Sequence, residues 1–271
     1  MDRNLGCVIL ACSDDLHFLN VTIKEIHPVF SKIIIMFGSQ FWNGEPENED
    51  KIEEFTKKID LYDNIRVMRY DVNKKAPKIR EVSDEMYWEG YARYIATINM
   101  PLNIDYIVYL DADEVIDGLM FQKWLYYDTY KVYDALKLSN YWYWREPNFR
   151  AKSYNEDSVT MINFDFAYKN KEYLFSNLGR HGLYEIAENR KRNIVGIDNR
   201  SMIHHYSWVR NKEQMLRKVK NWGHRNDSKD WESKVEEEFS RLFNGTDFVK
   251  GLEYEIVADK FGLVIESLNI S

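Results

Sequence analysis

Cysteine is nearly absent: Cys7 and Cys12 are the only two in 271 residues. Five residues apart on one expected strand, they face opposite sides, which argues against a disulfide between them. Two lone thiols suit a reducing compartment. No apolar run approaches the roughly 20 residues of a membrane-spanning helix. The opening segment "MDRNLGCVILACSDD" lacks the small-residue cleavage site of a secretory signal and reads as a first strand, so a cytoplasmic location is expected. Basic charge is not in excess, and a net charge of −7 argues against a nucleic-acid backbone as the main partner. Internal repeats, low-complexity tracts and Gly/Ser linkers are missing too. What is there, 45% hydrophobic and 30% charged residues, is the composition of a globular chain with a sizeable core.

Strands and helices alternate along the first half. Val8 to Cys12 is a continuous apolar run, as in a strand buried on both faces. Ser13 and two Asp precede Leu16, Leu19, Ile23 and Ile26 at helical spacing, and Pro28 follows the stop. Lys32 to Phe37 predicts a second strand ending at Gly38, and Ile52, Phe55, Ile59 and Tyr62 mark a second helix. "NIRVMRYDV" predicts a third strand, the segment capped by Ser83 a third helix, and "DYIVYL" a fourth strand. Such alternation predicts an α/β domain around a mostly parallel sheet. Beyond Gly118 the pattern turns mixed. "DGLMFQKWLYYD" reads as a short helix, and "DALKLSNYWYW" and "DSVTMINFDFAY" as strands. "NIVGIDNRSMIHHYSW" carries one or two more. "RNKEQMLRKVKNWGHRND" and "SKVEEEFSRLFNG" read as amphipathic helices, the acidic run of the last as a solvated face.

In such sheets ligands bind outside the carboxyl ends of the strands. In "DYIVYLDADEVIDG", Asp111 and Asp113 lie just past the fourth strand. Ala11, Cys12, Ser13 and Asp15 flank the end of the first, and Gly38 to Gln40 that of the second, so these segments are expected to share one crevice. Two like charges held close cost free energy unless a cation or proton offsets them. The bland reading is that the two carboxylates cap the loop and the next helix. A calcium loop fails, because its fifth and sixth positions would be Val115 and Ile116 rather than an oxygen ligand and Gly. "IVYLDADEV" also resembles the signature of haloacid dehalogenase-type phosphatases, with Asp111 as nucleophile and Asp113 as acid. That signature belongs to a first strand, and the paired Asp expected later is missing. The remaining reading is a metal site for a nucleotide-sugar diphosphate. Residues i and i+2 of an extended segment face one way. Two such carboxylates can share Mn2+ or Mg2+, which offsets charge on a departing nucleoside diphosphate.

"LDADE" after three α/β units resembles the D-x-D motif of GT-A fold glycosyltransferases, most nearly the inverting family 2. Ala92-Arg93 in "WEGYARYIATIN" matches that family's Ala-Arg pair, with Tyr94 where Asn is usual. "GLYEI" places Glu185 at the family's acid, with Tyr184 where His is usual, and "HHYSWVR" places His205 at the first position of a later motif. The resemblance spans Val8 to Arg210. It implies a GT-A-like, Rossmann-like α/β fold with a mostly parallel central sheet, a mixed second half and a helical C-terminal tail. It also implies metal-dependent, inverting transfer of a sugar from a nucleoside-diphosphate donor, a UDP-sugar favoured, to a glycan or other hydroxyl acceptor. The expected organisation is a catalytic domain over 1–210, with 1–118 binding the nucleotide sugar and 119–210 the acceptor. A helical segment, 211–271, packs on it. Apart from the phosphatase, a non-catalytic carbohydrate-binding protein and a nucleotidyltransferase on a related fold are alternatives.

The expected metal ligands are Asp111, Asp113 and His205. The expected donor-binding residues are Ala11, Cys12, Ser13, Asp15, Gly38, Arg93, Asp111 and Ala112. Arg93 either reaches a donor phosphate or pairs with Glu89 one helical turn earlier. His204 and His205 alternate, so one packs while the other faces the site, and a neutral imidazole completes a carboxylate site for manganese. Inversion needs a carboxylate to take the acceptor proton. Glu185 is the candidate and Asp198 the reserve, although Glu185 can instead balance Arg190 and Lys191. Tyr141 and Tyr143 should face away from Trp142 and Trp144, one pair in the core and the other lining the acceptor side. Trp208 and Trp222 are open to either role.

Overall fold

A computed structural model describes residues 4–72, 82–221 and 229–263, the side chains of 156–158 excepted. The first half is β1 (Leu5–Ala11), α1 (Leu16–Ile26), β2 (Lys32–Gly38), α2 (Glu49–Ile59), β3 (Ile65–Tyr70), α3 (Asp84–Ile98) and β4 (Tyr106–Asp111). The four strands lie parallel in the order β3-β2-β1-β4. Alternation sorts their side chains onto two faces. Cys7, Ile9, Ile33, Ile35, Val108 and Leu110 pack with Leu19 and Ile23 of α1 and with Ile52 and Phe55 of α2. Val8, Leu10, Ile34, Met36, Ile107 and Tyr109 pack with Ala92 and Ala96 of α3. Asn48 and Ser83 cap α2 and α3, their side chains accepting from Lys51 N and Met86 N. Asp15 stands at the N-cap of α1 but makes no capping hydrogen bond; its carboxylate is used elsewhere.

The second half is β5 (Glu114–Ile116), α4 (Gly118–Tyr126), β6 (Ala135–Trp144), β7 (Glu146–Asn163), α5 (Phe164–Lys169), α6 (His181–Glu185), β8 (Lys191–Ile194), β9 (Gly196–Ile197), β10 (Arg200–Ser201), β11 (Ile203–Trp208), α7 (Lys212–Asn221), α8 (Trp231–Phe239) and β12 (Tyr254–Ile256). β7 runs antiparallel to β4 and carries the sheet on through β6 and β11 to β5; β8 adds to β6 and β12 to β7. β9 and β10 form a separate hairpin.

Two expectations change here. "DSVTMINFDFAY" is not strand throughout. β7 stops at Asn163, whose side chain accepts from Phe166 N at 3.1 Å and starts α5; cap chemistry outweighs the aromatic pattern. Nor is the acidic run of α8 all solvated. Glu238 is buried and accepts from Trp144 Nε1 at 3.0 Å. α7 and α8 cover Trp142, Trp144 and Trp208 with Met215, Val219 and Val235. α3 comes so close to the turn at 171–175 that a Cβ on Gly90 would sit 2.3 Å from the Leu174 carbonyl oxygen. Among the described residues no helix is long and apolar enough to cross a membrane.

Candidate active site at the carboxyl ends of the parallel strands

The register aligns the strand ends. Leu10 pairs with Asp111, Ala11 with Phe37 and Gly38 with Tyr70. Ala11, Cys12, Ser13, Gly38, Asp111 and Ala112 therefore come together along one edge. Ser13 N–H donates to Glu47 at 2.8 Å. Burial, with Asp14 and Asp15 nearby, raises the Glu47 carboxyl to about 7 against the lowering hydrogen bonds from Ser13.

Asp111 and Asp113 do not stand on one extended segment. β4 ends at Asp111, the chain turns over Ala112 and Asp113, and β5 starts at Glu114. The i, i+2 rule holds only while the backbone stays extended, and here it does not. Thr22 Oγ1 donates to Ala112 O at 3.0 Å and Tyr206 N to Asp113 O at 2.8 Å, which fixes the turn. Each carboxylate then has its own set of cations.

Arg93 is fully buried and pairs with both Glu89 and Asp111, the latter at 2.8 Å. Of the two expected partners the Glu89 pairing is present, and Asp111 joins it in one network. Arg180 grips buried Glu114 with two 2.6 Å hydrogen bonds and stands 3.7 Å from Asp111. Burial disfavours the Arg180 charge, but Glu114 and Asp111 more than restore it, so its pKa rises.

Around Asp113 stand His205, Arg210 and Lys218. His205 Nε2 is 3.4 Å from Oδ1, while Lys218 Nζ and Arg210 Nη2 are 3.8 and 3.9 Å from Oδ2. Burial pushes the Asp113 carboxyl up, but the hydrogen bond and charge of His205, with Lys218 and Arg210, hold it well below the usual range. Arg210 also binds Asp15, and Arg217 binds Asp14 at 2.7 Å. Asp15 is likewise held low, burial being outweighed chiefly by Arg210. His204 turns away. Its Nδ1 meets the Tyr143 hydroxyl at 2.7 Å, and burial drops its pKa to about 3.

The other expected residues lie apart from this cluster. Glu185 is half exposed and pairs with Lys191 at 2.7 Å and Lys137 at 3.4 Å. The Lys191 hydrogen bond lowers its pKa, which makes it a poorer proton acceptor. Its charge is spent on a surface pair of the kind foreseen, with Lys137 in place of Arg190; Arg190 pairs with Asp134. Asp198 occupies the left-handed turn between β9 and β10. It lines a separate cavity of about 460 Å³ with Lys123, Tyr126 and Tyr127. The acceptor-side aromatics are mainly core. Trp144 and Trp208 have no exposed face, and Trp142 and Tyr143 are buried. The side-facing alternation is there, but α7 and α8 cover one face, while Phe18, Val115 and Tyr206 pack against Tyr143, with Tyr141 beside it. Tyr141 alone of the four on β6 is half-buried. Trp222 lies outside the described residues. Sequence reasoning missed Arg180, Arg217 and Lys218, which have no local motif, and left Glu114 and Arg210 unassigned although both stand in the quoted segments "LDADE" and "HHYSWVR".

The three expected metal ligands do not form one group, and no set of three or more His, Cys, Asp or Glu among the described residues is arranged to hold a metal. Asp113 Oδ1 and His205 Nε2 do converge. One carboxylate and one imidazole fit a hard divalent cation that takes its other ligands from phosphate and water.

An open, mostly parallel α/β half joined to a mixed second half, with its polar crevice past the strand ends, is a GT-A-like fold. Among solved structures the chain is similar to S. aureus TarS 1-349 in complex with UDP-GlcNAc, with a TM-score of 0.50 and 10% identity over 75% of this chain and 58% of that one. It also resembles 4-diphosphocytidyl-2C-methyl-D-erythritol synthase from Anaerococcus prevotii DSM 20548, with a TM-score of 0.48 and 12% identity over 79% of this chain and 94% of that one. No family model matches the sequence, and no curated protein matches it.

Proposed function

We propose that the chain is a glycosyltransferase that moves a sugar from a nucleoside-diphosphate donor, a UDP-sugar favoured, to a hydroxyl acceptor. The observation that carries this reading is the charged cluster at the strand ends: Asp113 with His205, Arg210 and Lys218, beside Asp111 with Arg93 and Arg180. Fold alone would not choose a function; this arrangement of fixed anions and cations suits a ligand bearing both hydroxyls and a diphosphate. Asp111, still two-fifths exposed, offers acceptor oxygens to ribose or sugar hydroxyls while Arg93 and Arg180 orient it. Asp113 and His205 would hold a divalent cation, which supplies charge compensation for the leaving diphosphate. Ser13 to Asp15 and Gly38 flank the nucleotide. The haloacid dehalogenase reading is disfavoured, because it needs Asp111 free as a nucleophile and Asp111 is tied to two guanidinium groups.

The test is a thermal-shift panel of nucleoside diphosphates with and without manganese, with product analysis on nucleotide sugars and on para-nitrophenyl phosphate. One diphosphate should raise the melting temperature, more so with manganese. The matching nucleotide sugar should be hydrolysed slowly, and chelation should slow it further. Cleavage of the ester without diphosphate release would transfer the assignment to a phosphatase.

A further inference from the structure

The segment from Arg210 through α7 brings three cations onto three acids of the strand-end loops. Arg210 meets Asp15, Arg217 meets Asp14, and Lys218 faces Asp113. The three cations are not equivalent. Arg210 is locked, because Nε donates to Ser207 O at 3.0 Å, Nη2 binds Asp15, and the guanidinium lies 5.4 Å from the Phe18 ring. Arg217 is fixed on Asp14 and stands 5.2 Å from the Phe41 ring. Lys218 is different. Its side chain is only 15% exposed, yet its ammonium makes no hydrogen bond with a described residue. The nearest anion, Asp113 Oδ2, is 3.8 Å away, beyond hydrogen-bond length. Lysine is rarely buried unless paired, because desolvating an ammonium is costly. An ammonium with no hydrogen bond to a described residue, 5.8 Å over the Trp208 ring and beside the same carboxylate that faces His205, is complementary to one more anion in this crevice.

We propose that Lys218 is a catalytic residue that binds the terminal phosphate of the donor's diphosphate and stabilises it as it departs. This rests on the transferase reading. In the transfer, the bond between the anomeric carbon and the β-phosphate oxygen breaks and its electron pair stays on the diphosphate. The acceptor oxygen forms the new bond to that carbon and releases its proton to solvent. Negative charge therefore grows on the β-phosphate, where a fixed ammonium acts most strongly in a site shielded from water. Arg210, already committed to Asp15, neutralises the loop and lets a phosphate approach Asp113. No change in the protonation of Lys218 is required.

The experiment compares binding of a nucleoside diphosphate and the monophosphate of the same base by calorimetry, with manganese and in chelator, to the wild type and to Lys218→Met, Lys218→Arg and Lys220→Met. Lys220 sits on the same helix but pairs with Glu232 of α8, so its variant controls for damage to α7. The wild type should prefer the diphosphate by at least about tenfold even without metal, the order expected of one added charge-assisted contact. Lys218→Met should lose that preference while keeping monophosphate affinity. Lys218→Arg should retain part of it, and Lys220→Met all of it. Diphosphate binding by Lys218→Met equal to wild type would overturn the proposal. So would a wild-type preference that vanishes on chelation, since the cation alone would then read the second phosphate. A wild type that binds no nucleoside diphosphate with or without metal would overturn the transferase reading as well.

Discussion

Glu47 shows how much one side chain at the crevice can shift the balance of the whole molecule. It holds Ser13 N–H, its charged neighbours include Asp14 and Asp15, and its carboxyl is raised to about 7 from an ordinary 4.5. The folded state thus keeps a proton that the unfolded chain has released. Across the window between those two values the unfolded state binds fewer protons, so stability falls as pH rises and levels off above about 7. The shift corresponds to about 3 kcal/mol at most. Glu47→Gln should remove this slope. Urea titrations of both proteins at about pH 5 and about pH 8 should show the variant gaining on the wild type at the higher pH. A difference between the two that is the same at both pH values would show that Glu47 does not titrate in this window. At this scale the sequence was readable where a residue stood in a local pattern. Asp111, Asp113, Arg93 and His205 all stood in quoted motifs and all fall in or beside the charged cluster. Arg180 and Lys218 reach it from 66 or more residues beyond Glu114 and Asp113, in segments whose local pattern says only turn or helix.

Elements explain the main misreading. The fourth strand was expected to end before Asp111, but Asp111 and Asp113 were read as facing one way, as in an extended segment, and nothing in "LDADE" shows that the chain turns at Ala112 and Asp113. What fixes the turn is tertiary: Thr22 on α1 and Tyr206 on β11 take the carbonyls of Ala112 and Asp113. The parallel pairing of the first four strands followed from alternation, whereas the place of β7 beside β4 did not, because an antiparallel insertion has no local signature. α3 carries a second contact that a sequence conceals. Gly90 lets the helix meet the Leu174 carbonyl, and a methyl group there has only backbone to push against. Gly90→Ala should cost about 1–3 kcal/mol, read as a lower urea midpoint with an unchanged slope. An unchanged midpoint would mean that the 171–175 turn yields freely.

At the scale of the molecule, the C-terminal helices are part of the core rather than an appendage. Trp144 Nε1 donates to Glu238 of α8, and Trp144 and Trp208 lie 5.4 Å apart beneath Met215 and Val219. Unfolding should therefore be a single transition, with tryptophan fluorescence and far-ultraviolet dichroism giving coincident urea curves. A fluorescence change that precedes the loss of dichroism would mark the 211–271 segment as a separate unit. β7 bears on motion as well. It pairs with β4 through Thr160 to Asn163, with β6 along most of its length, and with β12 through Phe149 to Ala151. One continuous strand thus stitches the first half, the second half and the C-terminal segment together. A hinge needs a seam crossed by few main-chain bonds, and this seam is crossed by a ladder. That ladder resists bending between the two halves and leaves movement to the loops and side chains at the strand ends.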